Sequence, residues 1–189
     1  MDKARLGLCL TGSFCTFDKA VKTAYELIKT YDVTPIMSEN SLNTDTRFGK
    51  AADFKEKLEL ITGKPVIGSI ADAEPIGPKK LFDLLLIAPC TGNTLAKLAN
   101  GITDSAVTMA AKAHLRNERP LIIAVSTNDG LAAASENIGR LLSRRNVYFV
   151  PFGQDDAIKK PRSLVADFDK IGKTLELALE SEQIQPILL

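Results

Sequence analysis

Four nearly continuous apolar runs constrain this chain more than anything else in it. They are RLGLCL at 5–10, LFDLLLIAP at 81–89, PLIIAVST at 120–127 and VYFVP at 147–151. A strand with one wet face alternates apolar and polar residues. These runs do not alternate, so each is read as a strand buried on both faces, the pattern of a parallel sheet covered by helices. DVTPIMS (32–38) reads as a further strand, with Pro35 pointing to a sheet edge. PVIGSI (65–70) reads as a short one. Between the runs lie helical patterns. Val21, Ala24, Tyr25, Leu27 and Ile28 recur at helical spacing within 17–30, and 51–63 ends on Gly63 as a C-cap. Residues 93–116 read as a helix broken near Asn100-Gly101, followed by helices over 131–145 and about 167–183. Residues 39–50 are polar and loop-like, and VYFVP reads as the last strand.

Strand and helix alternate throughout, and no linker or repeat divides the chain. The expectation is one domain over 1–189: α/β, a doubly wound parallel sheet of the Rossmann-like or flavodoxin-like kind in three αβα layers. With 189 residues, 45% of them hydrophobic, there is ample material for one large core. The net charge of +1 and the absence of a basic run argue against nucleic-acid binding. The longest apolar run is too short to cross a bilayer, and no signal-peptide pattern opens the chain, so a cytoplasmic protein is expected. Cys9, Cys15 and Cys90 form no disulfide framework and no CxxC metal spacing, so no metal site is expected. Cys9 and Cys90 read as small buried hydrophobes, with a site role left open for Cys15 and Cys90. The one histidine, His114, reads as a half-exposed helix residue.

In open α/β sheets ligands bind beyond the carboxyl ends of the strands. That rule selects TGSFCT (11–16), SENSLNT (38–44), PCTGNT (89–94) and STNDG (126–130). All four are rich in small hydroxyl and amide side chains. Gly12 and Gly92 let backbone N–H groups approach a ligand, and TGSFCTFDKA sets a Gly-Ser turn before a helix start, which suits a phosphate. The set describes a neutral, hydrogen-bonding crevice for a polar, phosphorylated cofactor. Thr91 or Asn93 could equally be a local helix cap. Arg47 reads either as a contact for an anionic substrate or as a solvated loop residue.

APCTGNTLAKLANGITDSAVTMAA resembles the stretch around the PASANT motif of the homo-oligomeric flavin-containing cysteine decarboxylases. That superfamily also holds phosphopantothenoylcysteine decarboxylases and prenyl-flavin synthases. PCTGNT stands where PASANT would, TGSF resembles the family's first phosphate-binding loop, and STNDGLAAASENIGRLL (126–142) stands where PMNxxMW would. The resemblance implies FMN as cofactor, held by Gly12, Ser13, Phe14, Ser38, Thr91, Asn93, Thr94, Ser126 and Thr127. It implies a small-molecule substrate met by Asn93 and Asn128. It also implies homo-oligomers, trimers or multiples of them, and a separate subunit carrying the NAD(P) site. Two departures stand out. Residues 61–83 hold no histidine where the decarboxylases carry one, and Ser126 and Thr127 replace the Pro and Met of PMN. No catalytic acid or base is assigned. A decarboxylase or prenyl-flavin-type enzyme and a non-catalytic scaffold remain open beside an oxidoreductase subunit.

Overall fold

A computed structural model describes residues 3–189. Along the chain come β1 (Arg5–Leu10), α1 (Phe17–Leu27), β2 (Asp32–Met37), α2 (Glu39–Asn43), α3 (Ala51–Thr62) and α4 (Ile70–Ala73). Then follow β3 (Leu84–Cys90), α5 (Gly92–Asn100), α6 (Ala106–Leu115), β4 (Leu121–Thr127) and α7 (Ser135–Leu142). The chain closes with β5 (Val147–Phe149), β6 (Phe152–Asp156), β7 (Lys160–Ala166) and α8 (Ile171–Leu179). The seven strands form one sheet in the order β2-β1-β3-β4-β7-β6, with β5 also on β4. β1 to β5 pair in parallel.

The apolar runs behave as expected. Every residue of β3 is buried, so both faces of that central strand are covered. Helix α1 packs on β1 and β3, α6 on β2, β3 and β4, and α8 on β4 and β5. The core gathers Leu8, Leu86, Ile123, Phe17 and Phe149, all without solvent contact. Burying one such side chain is worth about 1.5–3 kcal/mol, which makes these strands the stable frame of the molecule. Pro35 lies on edge strand β2, where its missing N–H removes no ladder bond from the sheet interior. The helix over 93–116 does break, with Gly101 in the left-handed region at φ 72° and Ser105 capping α6. No helix among the described residues is long and apolar enough to cross a membrane.

Several expectations are corrected. Residues 65–70 make only a single bridge, Ile67 to Ile36, because one pairing forms on the edge before the chain turns into α4. Residues 39–43 are helical rather than loop, started by the Ser38 hydroxyl, which accepts the Ser41 N–H at 3.3 Å. The pattern over 131–145 is regular helix only at 135–142, and the last helix spans 171–179 after a 3-10 turn at 168–170. VYFVP is not the last strand. An antiparallel hairpin, β6–β7, follows it, and β7 pairs antiparallel with β4 at Ser126 and Thr127. The outer edge of β4 is thus shared, with β5 along Leu121–Ile123 and β7 at the carboxyl end.

Candidate functional site

Because β1 to β4 are parallel, their carboxyl ends share one edge, and the four loops meet there. The first and third are locked together through Thr11. Its hydroxyl donates to the Pro89 carbonyl at 2.8 Å and accepts the Thr91 N–H at 3.0 Å. Thr11 is buried at the edge of the cleft, and its hydroxyl is spent on holding the two loops in register. The first and fourth loops join through Ser13 and Ser126, whose hydroxyls stand 2.8 Å apart. The second is tied to β1 by the Ser38 N–H, which donates to the Leu10 carbonyl at 3.0 Å.

Between the first three loops lies a cleft of about 680 Å³. Its walls include Gly12, Phe14, Ser38, Thr91, Asn93 and Thr94, six of the expected cofactor contacts. The local roles allowed by the sequence are also real. Thr91 is the N-cap of α5, accepting the Thr94 N–H at 3.3 Å, and Ser38 caps α2. Other groups have no internal partner. The Gly12 N–H, the Asn93 amide and the Asn40 amide make no hydrogen bond among the described residues, and both asparagines are exposed. Polar groups left unpaired at a concave wall are what a hydrogen-bonding ligand requires.

Four expected residues stand apart. Ser13, Ser126 and Thr127 are not walls of the cleft; Ser13 and Ser126 satisfy each other, and the Thr127 hydroxyl donates to the Asp129 carboxylate. Asn128 is exposed at the end of β4, also outside the cleft. The separation has a steric cause. A Cβ at Gly92 would lie 2.7 Å from both Asp129 Oδ1 and Thr127 Oγ1, so the fourth loop presses directly on the start of α5.

Sequence reasoning missed the charged part of the wall. Glu39, Lys97 and Asp104 all line the cleft. Glu39 Oε1 accepts the Ala106 N–H at 3.2 Å, fastening α2 to the start of α6. Lys97 pairs with Asp104 at 2.8 Å, and this contact holds the Asp104 carboxyl below its usual range. Nothing local marks these pairs, since each joins residues from different elements. Arg47 lies over the ring of exposed Phe48, 4.9 Å from its centroid, and does not line the cleft.

The remaining candidates fall away for physical reasons. Cys90 is buried, and burial raises its thiol far above the ordinary range, so it stays protonated and unreactive. Cys9 shares that fate, while Cys15 is exposed. His114 is not half-exposed. It is 1% exposed, its Nε2 stands 3.0 Å from the Pro120 carbonyl, and burial pushes its pKa down to about 4.

A doubly wound sheet with a polar, hydrogen-bonding cleft beyond its strand ends defines the class: an α/β protein of the Rossmann-like flavoprotein kind, with a candidate ligand cleft at the usual strand-end position. The model of the family described as Flavoprotein matches residues 1–171, and the chain belongs to that family. It is 48% identical over 186 residues to the B subunit of dipicolinate synthase of Bacillus subtilis, an alignment covering 98% of this chain and 93% of that protein. The crystal structure of the corresponding dipicolinate synthase B subunit from Bacillus halodurans superposes with a TM-score of 0.91 at 42% identity, covering 100% of this chain and 97% of that one. Burkholderia xenovorans DmrB in complex with FMN shares the fold at a TM-score of 0.70 and 21% identity, covering 95% and 97% of the two chains.

Proposed function

We propose that this chain, acting as one flavoprotein-type domain over 1–189, is the B subunit of a dipicolinate synthase. With an A subunit it converts dihydrodipicolinate to dipicolinate during sporulation, in the mother-cell cytoplasm of a sporulating bacterium. The observation that carries this reading is the nearly full-length similarity to the subunit of that name in Bacillus subtilis. The NAD(P) site belongs to the A subunit, and this chain assembles with copies of itself as trimers or multiples of trimers.

The cleft fits FMN by its donor set. It combines an unpaired backbone N–H at Gly12, neutral hydroxyls at Ser38, Thr91 and Thr94, and the free amide of Asn93, with the Phe14 ring beside them. Gly12, Ser38, Thr91 and Asn93 would hold the mononucleotide, and bound there it would supply hydride-accepting chemistry. The chain's own part is positioning. Asn93 orients the polar edge of the substrate. Asn128 lies outside the cleft and would reach substrate only at its mouth. Glu39 and Asp104 are each committed to a partner within the protein, so neither is a free base. The cleft holds no histidine among the described residues, which speaks against the decarboxylase alternative.

A second reading has one observation in its favour. Asp129 already places its own carboxylate against Gly92 at the start of α5, as a scaffold subunit without cofactor could tolerate. One experiment separates the two. The chain is purified with the A subunit, and dipicolinate formation and FMN binding are followed for the native chain and for Asn93→Ala. The proposal expects product formation to require this chain and to fall about tenfold or more in the variant, with weaker FMN binding. Activity that needs the chain but ignores Asn93 and FMN favours the scaffold.

A further inference from the structure

A second cavity, of about 350 Å³, lies between α5, α6 and the turn after α7. Its apolar walls are Leu98, Ile102 and Leu115, and its polar walls include Lys112, Arg116 and Arg144. No carboxylate among the described residues lines it. Lys112 on α6 and Arg116, the C-cap of that helix, stand one turn apart on the same face. Neither side chain makes an ion pair or hydrogen bond among the described residues. Arg144 comes from a different element and is anchored by one N–H, donated to the Leu98 carbonyl at 2.9 Å, which leaves the rest of its guanidinium fork free. Ile102 is 47% exposed above this floor.

The bland explanation is that cations near the end of α6 answer its dipole. That accounts for Lys112 and Arg116. It does not account for Arg144, which lines the same cavity from the turn after α7, nor for an apolar floor beneath three like charges. All three cations are exposed, so water screens their mutual repulsion, and an anion seated on the apolar floor between them would gain the attraction of all three.

We propose that this cavity binds a small carboxylate with an apolar body, its ring on Leu98, Ile102 and Leu115 and its carboxylates on Lys112, Arg116 and Arg144. A planar aromatic dicarboxylate has that chemistry, and dipicolinate is the one that the proposed function supplies. The choice of dipicolinate rests on that function, while the site rests on the cavity itself. Its volume suits a small molecule rather than a protein segment. Residues 101–105 wall both spaces: Ile102 and Thr103 face this cavity, while Asp104 and Ser105 face the cleft. An occupant therefore touches the segment that borders the candidate active site.

The test is calorimetric titration of the full chain, in its native assembly, with dipicolinate, with benzene-1,3-dicarboxylate and with inorganic phosphate. Both dicarboxylates are expected to bind the native chain, and phosphate about tenfold or more weakly, since it leaves the apolar floor uncovered. The double variant K112A/R116A should weaken both dicarboxylates by about tenfold or more. Ile102→Glu, an exposed position whose change removes no core packing, should abolish binding by adding a carboxylate. Asn93→Ala should leave the benzene dicarboxylate unchanged. Failure of both dicarboxylates to bind, or loss of binding in Asn93→Ala and not in K112A/R116A, overturns the site. A changed assembly size of K112A/R116A in sedimentation also overturns it, because the surface is then a contact between copies. Absence of dipicolinate formation with the A subunit, while Lys112-dependent binding of the benzene dicarboxylate persists, removes the functional reading and leaves the site standing.

Discussion

His114 should give this protein an acid limb of instability that begins well above the carboxylate range. The imidazole is 1% exposed and packs behind β4, with Nε2 3.0 Å from the Pro120 carbonyl. A carbonyl can only accept, so the neutral ring carries its proton on Nε2. Burial disfavours the charged form first; the Pro120 carbonyl opposes that shift, Arg119 adds to it and Asp83 opposes it. The folded value is about 4 against an ordinary 6.5. The sign follows. Above pH 6.5 both states are neutral at this residue, and it contributes no penalty. As pH falls from 6.5 towards 4 the unfolded chain takes up a proton that the folded chain refuses, so stability drops. At about 1.4 kcal/mol per pH unit the loss amounts to about 3 kcal/mol by pH 4, where it levels off. The assay is urea unfolding at pH 7.5, 6.5, 5.5 and 4.5, at one protein concentration and ionic strength, for the native chain and for His114→Gln. Glutamine keeps a donor for Pro120 and cannot titrate. Its stability should be lower at pH 7.5 but nearly flat down to pH 4.5, while the native chain loses stability across that window. Parallel curves for the two proteins would refute the reasoning.

Asp83 defines a second, lower limb. It accepts from the Arg5 Nε at 3.1 Å, the Arg5 Nη2 at 2.8 Å and the Arg119 Nη1 at 3.0 Å, and the Arg5 contact holds its carboxyl below the ordinary value. Its contribution is present above about pH 4 and is lost as pH falls further, so Asp83→Asn should lower stability at pH 7 by about 1 kcal/mol, since the pair is about one third exposed, and shrink the loss below pH 4 in urea titrations. Gly130→Ala should destabilise by about 1–3 kcal/mol in thermal or urea unfolding, because its Cβ would stand 2.6 Å from Leu164 Cγ on β7. A thiol reagent should modify Cys15 rapidly in the native chain, and Cys9 and Cys90 only after denaturation, as counted by mass spectrometry.

What could be read without coordinates was whatever depends on neighbours in sequence. Continuous apolar runs at 5–10, 81–89 and 120–127, short and bounded by turn residues, read as strands covered on both faces, and they contain β1, most of β3 and β4. The alternation of strands and helices then places the loops after those strands on one edge, which is how Gly12, Thr91 and Asn93 could be named together. The hairpin β6–β7 was invisible for the opposite reason. QDDAIKKPR is polar and exposed, and its pairing comes from the free carboxyl-end edge of β4, a partner far away in the chain. His114 carries the same lesson, since a helix position becomes interior only when a sheet closes over it. The split of the expected site, with Asn93 in the cleft and Asn128 outside it, was likewise decided by contact, through Asp129 and Thr127 pressing on Gly92. The amino-acid pattern alone determined the frame and the edge at which ligands can bind. Which side chains face one another across that edge, and which are already spent on one another, is a matter of distances between remote residues, and only the tertiary structure sets those.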